Sequence, residues 1–325
     1  MPDRLALAVD LGGTKVEAAL VDQDGALLAG SRARRATGAR ASSDELAQSV
    51  RDVVAAALAA VPEDGRGADG RTAESRRVDS RIVGVGIGAA GPLRQEAGLV
   101  SPLNLPAWRD FPLLDLVAEA APGLPVTMRM DGLCIALAEH WVGAARGCAN
   151  LMGMIVSTGV GGGLILGGRT VSGPTGNAGH IGHVEVAGFD DACACGGRGC
   201  LEAVASGPRS VAWAREQGWT GSTGEELAAG CAAGDEIARA AVERSGRAVG
   251  RAIGSATALV DLEVVAIGGG FSRVSPDLLD HVRAGIAEHS GFDFVRKVRV
   301  VPSGLSDEGP LIGAAALVHR ADMVG

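Results

Sequence analysis

The residues with the densest chemistry lie at 178–202, AGHIGHVEVAGFDDACACGGRGCLE. His183 precedes Cys193, Cys195 and Cys200, a C-x-C-x4-C array set among glycines. One imidazole and three thiolates are the ligand set of a closed, tetrahedral structural zinc site. Gly196, Gly197 and Gly199 would let a short loop curl around one ion, because glycine takes left-handed backbone angles without steric cost. A redox pair would more naturally be C-x-x-C, and a disulfide framework needs a denser cysteine supply. Spacing alone leaves a second account open, a glycine-rich surface loop whose cysteines are incidental. A closed site offers no position to a substrate, so its metal would brace something beside it.

Two further stretches can meet a ligand. The run D-L-G-G-T-K at 10–15 joins the apolar runs LALAVD and VEAALVD, which reads as a tight hairpin between strands. It has neither the Walker A spacing nor the dinucleotide G-x-G-x-x-G. Unhindered amides of Gly12, Gly13 and Thr14 can still face phosphate oxygens. Asp10 at the mouth can hold Mg2+, mostly through water. An ordinary hairpin would look the same. A second hairpin follows a strand at 150–156, in STGVGGGLILGG, where Thr158 and Gly159 offer a hydroxyl and an amide. Two such hairpins suggest a duplicated nucleotide-binding lobe that clamps a phosphate chain.

The remaining elements would position these groups. A strand at 125–130 delivers Asp131 to its carboxyl end, before an apolar helix over 132–142. Such an acid can be merely an N-cap, yet carboxyl ends of strands line the ligand crevice of open α/β folds. Ser43 and Glu45 read as the cap and first turn of a helix over 43–60. Residues 101–113 contain Pro102, Pro106 and Pro112, which implies a rigid loop. Its one amide side chain, Asn104, either binds a substrate hydroxyl or satisfies turn backbone. Strands are expected at 82–87, 263–267 and 297–301, and helices at 206–216, 224–233, 235–259, 276–289 and 309–319. Gly268, Gly269 and Gly270 would let a flat aromatic base lie against backbone. Residues 61–80 read as a polar loop insertion with no function of its own.

Composition bounds the partners. The 325 residues carry a net charge of −8, which argues against a nucleic acid held through its phosphates. The arginines at 32, 34, 35 and 40 read as a solvated strand end and loop. Cys134, Cys148 and Cys231 read as small core residues, and the cysteine pattern fits a reducing cytoplasm. With no signal peptide and no apolar run of spanning length, the expectation is a cytoplasmic protein with no membrane partner.

Together DLGGTK (10–15), STGVGGG (157–163), GHIGH (179–183) and CACGGRGCLE (193–202) resemble the ROK family of sugar kinases and repressors. NLPAW (104–108) and GPLIGAAAL (309–317) also fit, so the likeness runs in order over nearly the whole chain. The resemblance implies an α/β, actin-like or hexokinase-type fold of two RNase H-like lobes hinged around a cleft. A small lobe over 1–125 would regain the C-terminal helix from 305–325, and a large lobe over 126–304 would contain the zinc site. Family repressors carry an N-terminal helix-turn-helix, and a hairpin starting at Asp10 leaves no room for one. A kinase is therefore expected, transferring the γ-phosphoryl of ATP, with Mg2+, to a sugar hydroxyl, usually the primary one at C6. A non-catalytic sugar sensor would have lost the base or the hairpins, and both are present.

The resemblance also assigns roles. Asp131 matches the general base. Asn104, His183 and Glu202 match sugar contacts, and His183 would bind Zn2+ with Cys193, Cys195 and Cys200. Gly12, Gly13, Thr14, Lys15, Thr158 and Gly159 would hold phosphates, with Asp10 on Mg2+ and Gly268, Gly269 and Gly270 beside the base. A homodimer or tetramer is implied. Three positions depart from the family. Met130 replaces the Asn before the base, Leu133 replaces the Asn two residues after it, and His180 replaces a Glu three residues before the zinc-binding His. Met cannot act as an amide, and His substitutes a titrating ring for a permanent acceptor. A pocket built to hydrogen-bond a hydroxyl discriminates strongly. The expected substrate is thus a modified sugar, either an amino sugar such as kanosamine or a C7-cyclitol, with an ordinary glucokinase as the alternative.

Overall fold

The first apolar run forms β1 (Leu5–Leu11), buried along its whole length, and returns antiparallel as β2 (Lys15–Asp22). These strands belong to a computed structural model that describes residues 4–61, 79–305 and 307–325. All but the two ends of the insertion expected at 61–80 lie outside the described residues. β3 (Ala33–Ala36), α1 (Ser43–Ala59), β4 (Ile82–Ala89), the small hairpin β5 (Leu93–Arg94) and β6 (Leu99–Val100), α2 (Leu113–Ala120), β7 (Val126–Met130) and α3 (Asp131–Trp141) follow. The sheet runs β3-β2-β1-β4-β7, with β4 parallel to β1 and β7 parallel to β4.

The order then repeats. β8 (Leu151–Val156), β9 (Val160–Leu166) and β10 (Arg169–Thr170) are antiparallel neighbours, followed by α4 (Leu201–Ala205), α5 (Gly207–Glu216), α6 (Gly224–Ala233) and α7 (Glu236–Val260). β11 (Val264–Gly268), α8 (Leu278–His289), α9 (Asp293–Arg296), β12 (Arg299–Pro302) and α10 (Gly309–His319) complete the chain. The second sheet runs β10-β9-β8-β11-β12, with β11 parallel to β8 and to β12. The two sheets share one topology: a three-strand antiparallel meander, then two parallel strands added beside the first.

The chain divides into one unit of Met1–Cys134, Gly173–Asn177 and Glu308–Val324, and another of Ile135–Ser172, Ala178–Asp307 and Gly325. The second lobe is expected to start at 126. β7 pairs with β4, however, so residues 126–134 belong to the first unit. In that unit α10 packs directly on the sheet, where a Cβ at Gly86 would come within 2.7 Å of the Ala314 carbonyl carbon. In the second unit α7 and α8 meet as closely, because a Cβ at Gly250 would lie 2.9 Å from the Gly285 Cα. Val249, Ile253, Ile267 and Ile286 fill the core beneath them. Among the described residues no helix is long and apolar enough to cross a membrane.

One cap differs from expectation. The N-cap of α1 is Ser42, whose hydroxyl accepts from the Glu45 amide at 3.3 Å while the Glu45 carboxylate accepts from the Ser42 amide at 2.8 Å. That reciprocal pair is a capping box. Ser43 instead accepts a hydrogen bond from the Trp108 indole at 3.2 Å.

Candidate functional site

In the first unit the chemistry collects at the carboxyl end of β1. Asp10 is 6% exposed, and its carboxyl is pushed up to about 7. Burial is the main cause and the charge of Asp131 the next, opposed by Lys15 and Arg32. β4 lies between β1 and β7, and its Gly88, paired with Asp10, leaves room there. A Cβ at Gly88 would stand 3.8 Å from Asp10 Oδ1 and 3.2 Å from Cys134 Sγ. Asp131 opens α3, half-buried, and its Oδ1 accepts from the Gly132 amide at 2.7 Å. Two carboxylates thus share one end of the sheet, one of them held near its proton by burial.

The hairpin beside Asp10 treats its three amides differently. The Gly12 amide donates to the Lys15 carbonyl at 2.9 Å, so it closes the turn and is not offered to a ligand. Among the described residues the Gly13 and Thr14 amides have no backbone partner. Thr37 secures the loop from the side, its amide donating to Thr14 at 2.9 Å and its hydroxyl to Gly12 at 3.0 Å. Lys15 is tied to the buried Glu17 carboxylate, which Arg32 also meets at 3.0 Å and Arg34 at 3.9 Å. The arginine-rich stretch is therefore partly an ion cluster on β2 and β3, and less a solvated loop than its composition suggests.

The proline-rich loop is held from behind. Trp108 is fully buried, stacks on Phe111 at 3.9 Å between ring centroids, and donates to Ser43. One guanidinium nitrogen of Arg109 donates to the carbonyls of Pro102 at 3.1 Å, Leu105 at 3.2 Å and Trp108 at 2.6 Å. This leaves Asn104 exposed against the first hairpin, where a Cβ at Gly13 would be 2.7 Å from the Asn104 Cβ. Position 13 must be glycine for that approach. Met130 and Leu133 are different, being 3% and 1% exposed. They fill the core, so they can influence a ligand only through the placement of Asp131.

In the second unit the β8–β9 hairpin is braced from α4. The Ser157 amide donates to the Gly159 carbonyl at 2.8 Å, and Glu202 Oε2 accepts from the Val160 amide at 2.9 Å. A Cβ at Gly159 would be 2.6 Å from that same oxygen. Next to the hairpin is a cavity of about 590 Å³ lined by Thr158, Gly207, Arg215, Thr223, Gly270 and Phe271, among others. Only Gly270 of the glycine triplet reaches it. Gly269 has φ +96° and packs so that a Cβ would lie 2.5 Å from the Val156 carbonyl oxygen, and Gly268 adjoins Ser303. These two shape the turn. Arg215, Arg273, Thr223 and Phe271 went unmarked in the sequence, where only the T-x-x-E capping box starting at Thr223 gave a local signal.

The cysteine segment converges as its spacing suggests. His183 Nδ1 is 3.7 Å from Cys193 Sγ, Cys195 Sγ is 3.7 Å from Cys200 Sγ, and all four ligand atoms lie within 4.8 Å of one another. A tetrahedral ion with metal–sulfur bonds of about 2.3 Å and a metal–nitrogen bond of about 2.0 Å needs ligand atoms roughly 3.5–3.8 Å apart. The set fits such an ion with little movement. Cys200 is also the N-cap of α4, two residues before Glu202. His180 stands beside the set, its ring centroid 5.7 Å from that of His183. Its Nε2 is buried and has no hydrogen-bond partner among the described residues. Burial holds its pKa below the ordinary 6.5.

Two sheets of one topology, each with a glycine hairpin after its first strand, define the actin-like, two-lobed sugar-kinase fold. The chain belongs to the ROK family, whose model matches residues 70–321. It is 30% identical to the glucokinase of Thermotoga maritima, over 98% of this chain and 99% of that one. It is 33% identical to the N-acetylmannosamine kinase of Citrobacter koseri, over 96% and 98% of the two chains. Among solved structures it is similar to a ROK family glucokinase from Streptomyces griseus in complex with glucose and AMPPNP. That likeness has TM-score 0.79 and 28% identity, over 96% of this chain and 98% of that one.

Proposed function

We infer that the chain is an ATP-dependent carbohydrate kinase, and we propose that its acceptor is a hexose-like ligand that differs from glucose at a ring position. An amino sugar such as kanosamine, or a C7-cyclitol, has that character. The observation that carries the altered acceptor is the buried, unpartnered Nε2 of His180 beside His183. Held neutral by burial, that ring offers one donor or one acceptor where an acid would offer a full negative charge.

The chain's own groups divide the work. The acceptor's primary hydroxyl gives its proton to the Asp131 carboxylate as its oxygen forms a bond to the γ-phosphorus. The bond from that phosphorus to the β,γ-bridging oxygen breaks, and ADP leaves. Amides of Gly13 and Thr14, with the Thr158 hydroxyl and the Gly159 backbone, hold phosphate oxygens. The cavity lined by Phe271 and Gly270 takes the adenosine. Asp10 fits a Mg2+ position, because a carboxylate whose charge is disfavoured by burial gains most from a cation. Mg2+ bound with ATP neutralises charge on the phosphate oxygens. Zn2+ suits His183, Cys193, Cys195 and Cys200 as a structural ion that fixes the first turn of α4 and, with it, Glu202. Asn104, His180, His183 and Glu202 are assigned to acceptor hydroxyls.

An ordinary glucokinase is the second reading. It is favoured by the burial of Met130 and Leu133, which removes two of the three departures from direct contact with a ligand. Coupled ADP-release assays across glucose, mannose, N-acetylmannosamine, kanosamine and a valiolone-type cyclitol separate the two readings. The proposal expects kanosamine or the cyclitol to give the highest kcat/KM. Glucose in first place sinks it.

A further inference from the structure

Arg244 on α7 reaches both arms of the segment that carries the cysteines. Its Nη2 donates to Asp191 Oδ1 at 2.8 Å and Oδ2 at 2.6 Å, on the arm leading into Cys193. Its Nη1 donates to the Val204 carbonyl at 3.1 Å, on α4 beyond Cys200. The guanidinium lies over Phe189 at 5.1 Å and Trp213 at 5.5 Å from the ring centroids, with its side chain only 15% exposed. Neighbours on α7 extend the hold. The Ser245 hydroxyl donates to the Ala205 carbonyl at 3.0 Å, and Arg251 donates to the Ala187 carbonyl at 2.9 Å while facing Phe189 at 5.7 Å.

We propose that Arg244 is a positioning residue for the acceptor side of the site, fixing α4 and thereby the Glu202 carboxylate against the arm before Cys193. This rests on the reading that Glu202 meets the acceptor. The need follows from the length of α4, five residues, too short to hold its direction by its own hydrogen bonds. A metal on Cys200 would anchor only the first turn of α4, and its far end is tied to α7 through the Val204 and Ala205 carbonyls. Arg244 is the one of these ties that also reaches the arm before Cys193, and Glu202 lies between it and the metal set. Only a planar guanidinium can grip a carboxylate with one nitrogen, reach a carbonyl with another and stack on rings. Lysine, a point charge with three donors, cannot meet all these partners.

The test uses the full-length protein with its metal content measured, and the acceptor from the five-compound panel that gives the highest kcat/KM. Arg244→Met is expected to raise the acceptor KM at least fivefold, with the ATP KM within twofold and kcat reduced less than threefold. Release of zinc to a colorimetric chelator should quicken at least threefold, and Arg244→Lys should recover only part of either change. If Arg244→Met does not fold, Asp191→Asn weakens the same grip and should shift both readouts in the same direction by a smaller factor. An unchanged acceptor KM in the folded variant, or equal rises in both KM values, overturns the proposal. Glu202→Gln separates it from the reading beneath it. If Glu202→Gln raises the acceptor KM and Arg244→Met does not, the positioning role alone is wrong. If Glu202→Gln changes nothing, the acceptor role of Glu202 fails and the inference falls with it.

Discussion

Replacing Asp10 with Asn should stabilise the protein while removing its activity. The carboxyl is buried and raised from 3.8 to about 7, chiefly by burial and then by Asp131. At about 1.4 kcal/mol per tenfold, that displacement disfavours the charged form by roughly 4 kcal/mol, a ceiling that local relaxation reduces to about 2–4. The sign follows from proton binding. Up to about pH 7 the folded state keeps a proton that the unfolded chain, at 3.8, has already lost. This group's contribution therefore falls as pH rises through that interval, and above it the full cost is present. Asn carries no such cost. With a shift of about 2–4 °C per kcal/mol for a unit of this size, Asp10→Asn should melt about 5–10 °C above wild type at pH 8. At pH 5 the gain should be less than half as large. Thermal melts of both proteins in magnesium-free buffer at the two pH values provide the measurement. A gap that does not change with pH, or a variant less stable at pH 8, refutes the argument that burial and Asp131 set the state of Asp10.

His180→Glu should restore preference for glucose. A charge-assisted hydrogen bond to a ring hydroxyl is worth about 1.5–3 kcal/mol, or about 10–150-fold in kcat/KM. Steady-state kinetics on the acceptor panel read this directly, and a change below twofold for every acceptor would remove His180 from the pocket. Metal analysis should find one zinc per chain. Stripping it, or making Cys195→Ser, should cost several kcal/mol, a fraction of the roughly 10–16 kcal/mol of structural zinc binding, and should raise the acceptor KM. Melting curves and acceptor titrations of the stripped protein check both effects.

The sequence made the hairpins, the cysteine set and the strands around them legible because each has a short-range signature. Buried apolar runs give β1, β4, β8 and β11, and glycine–threonine turns follow two of them. The limits of α6 and α10 coincide with the expected residues 224–233 and 309–319. Elements set by longer-range partners were harder to read. β3 is rich in arginine, and its pairing with β2 sets Arg34 opposite the buried Glu17, which no local pattern reveals. α2 begins at once after Pro112, where the prolines implied loop. The burial of Met130 and Leu133 could not be separated from ligand contact by residue type, since both uses place a side chain away from water. Arg244 lies far from the cysteines in sequence, and only the folded chain brings it to Asp191 and Val204.

The central claim is that Asp131 takes the acceptor's proton during phosphoryl transfer. Asp131→Asn keeps the shape of the side chain and removes its basicity. The direct test is transfer of labelled γ-phosphate to the best panel acceptor, with ATP binding measured on the same preparation by calorimetry. If Asp131 is the base, kcat falls by about 10²–10⁴ with the ATP Kd within twofold of wild type. A variant that keeps more than a tenth of the wild-type kcat would contradict it.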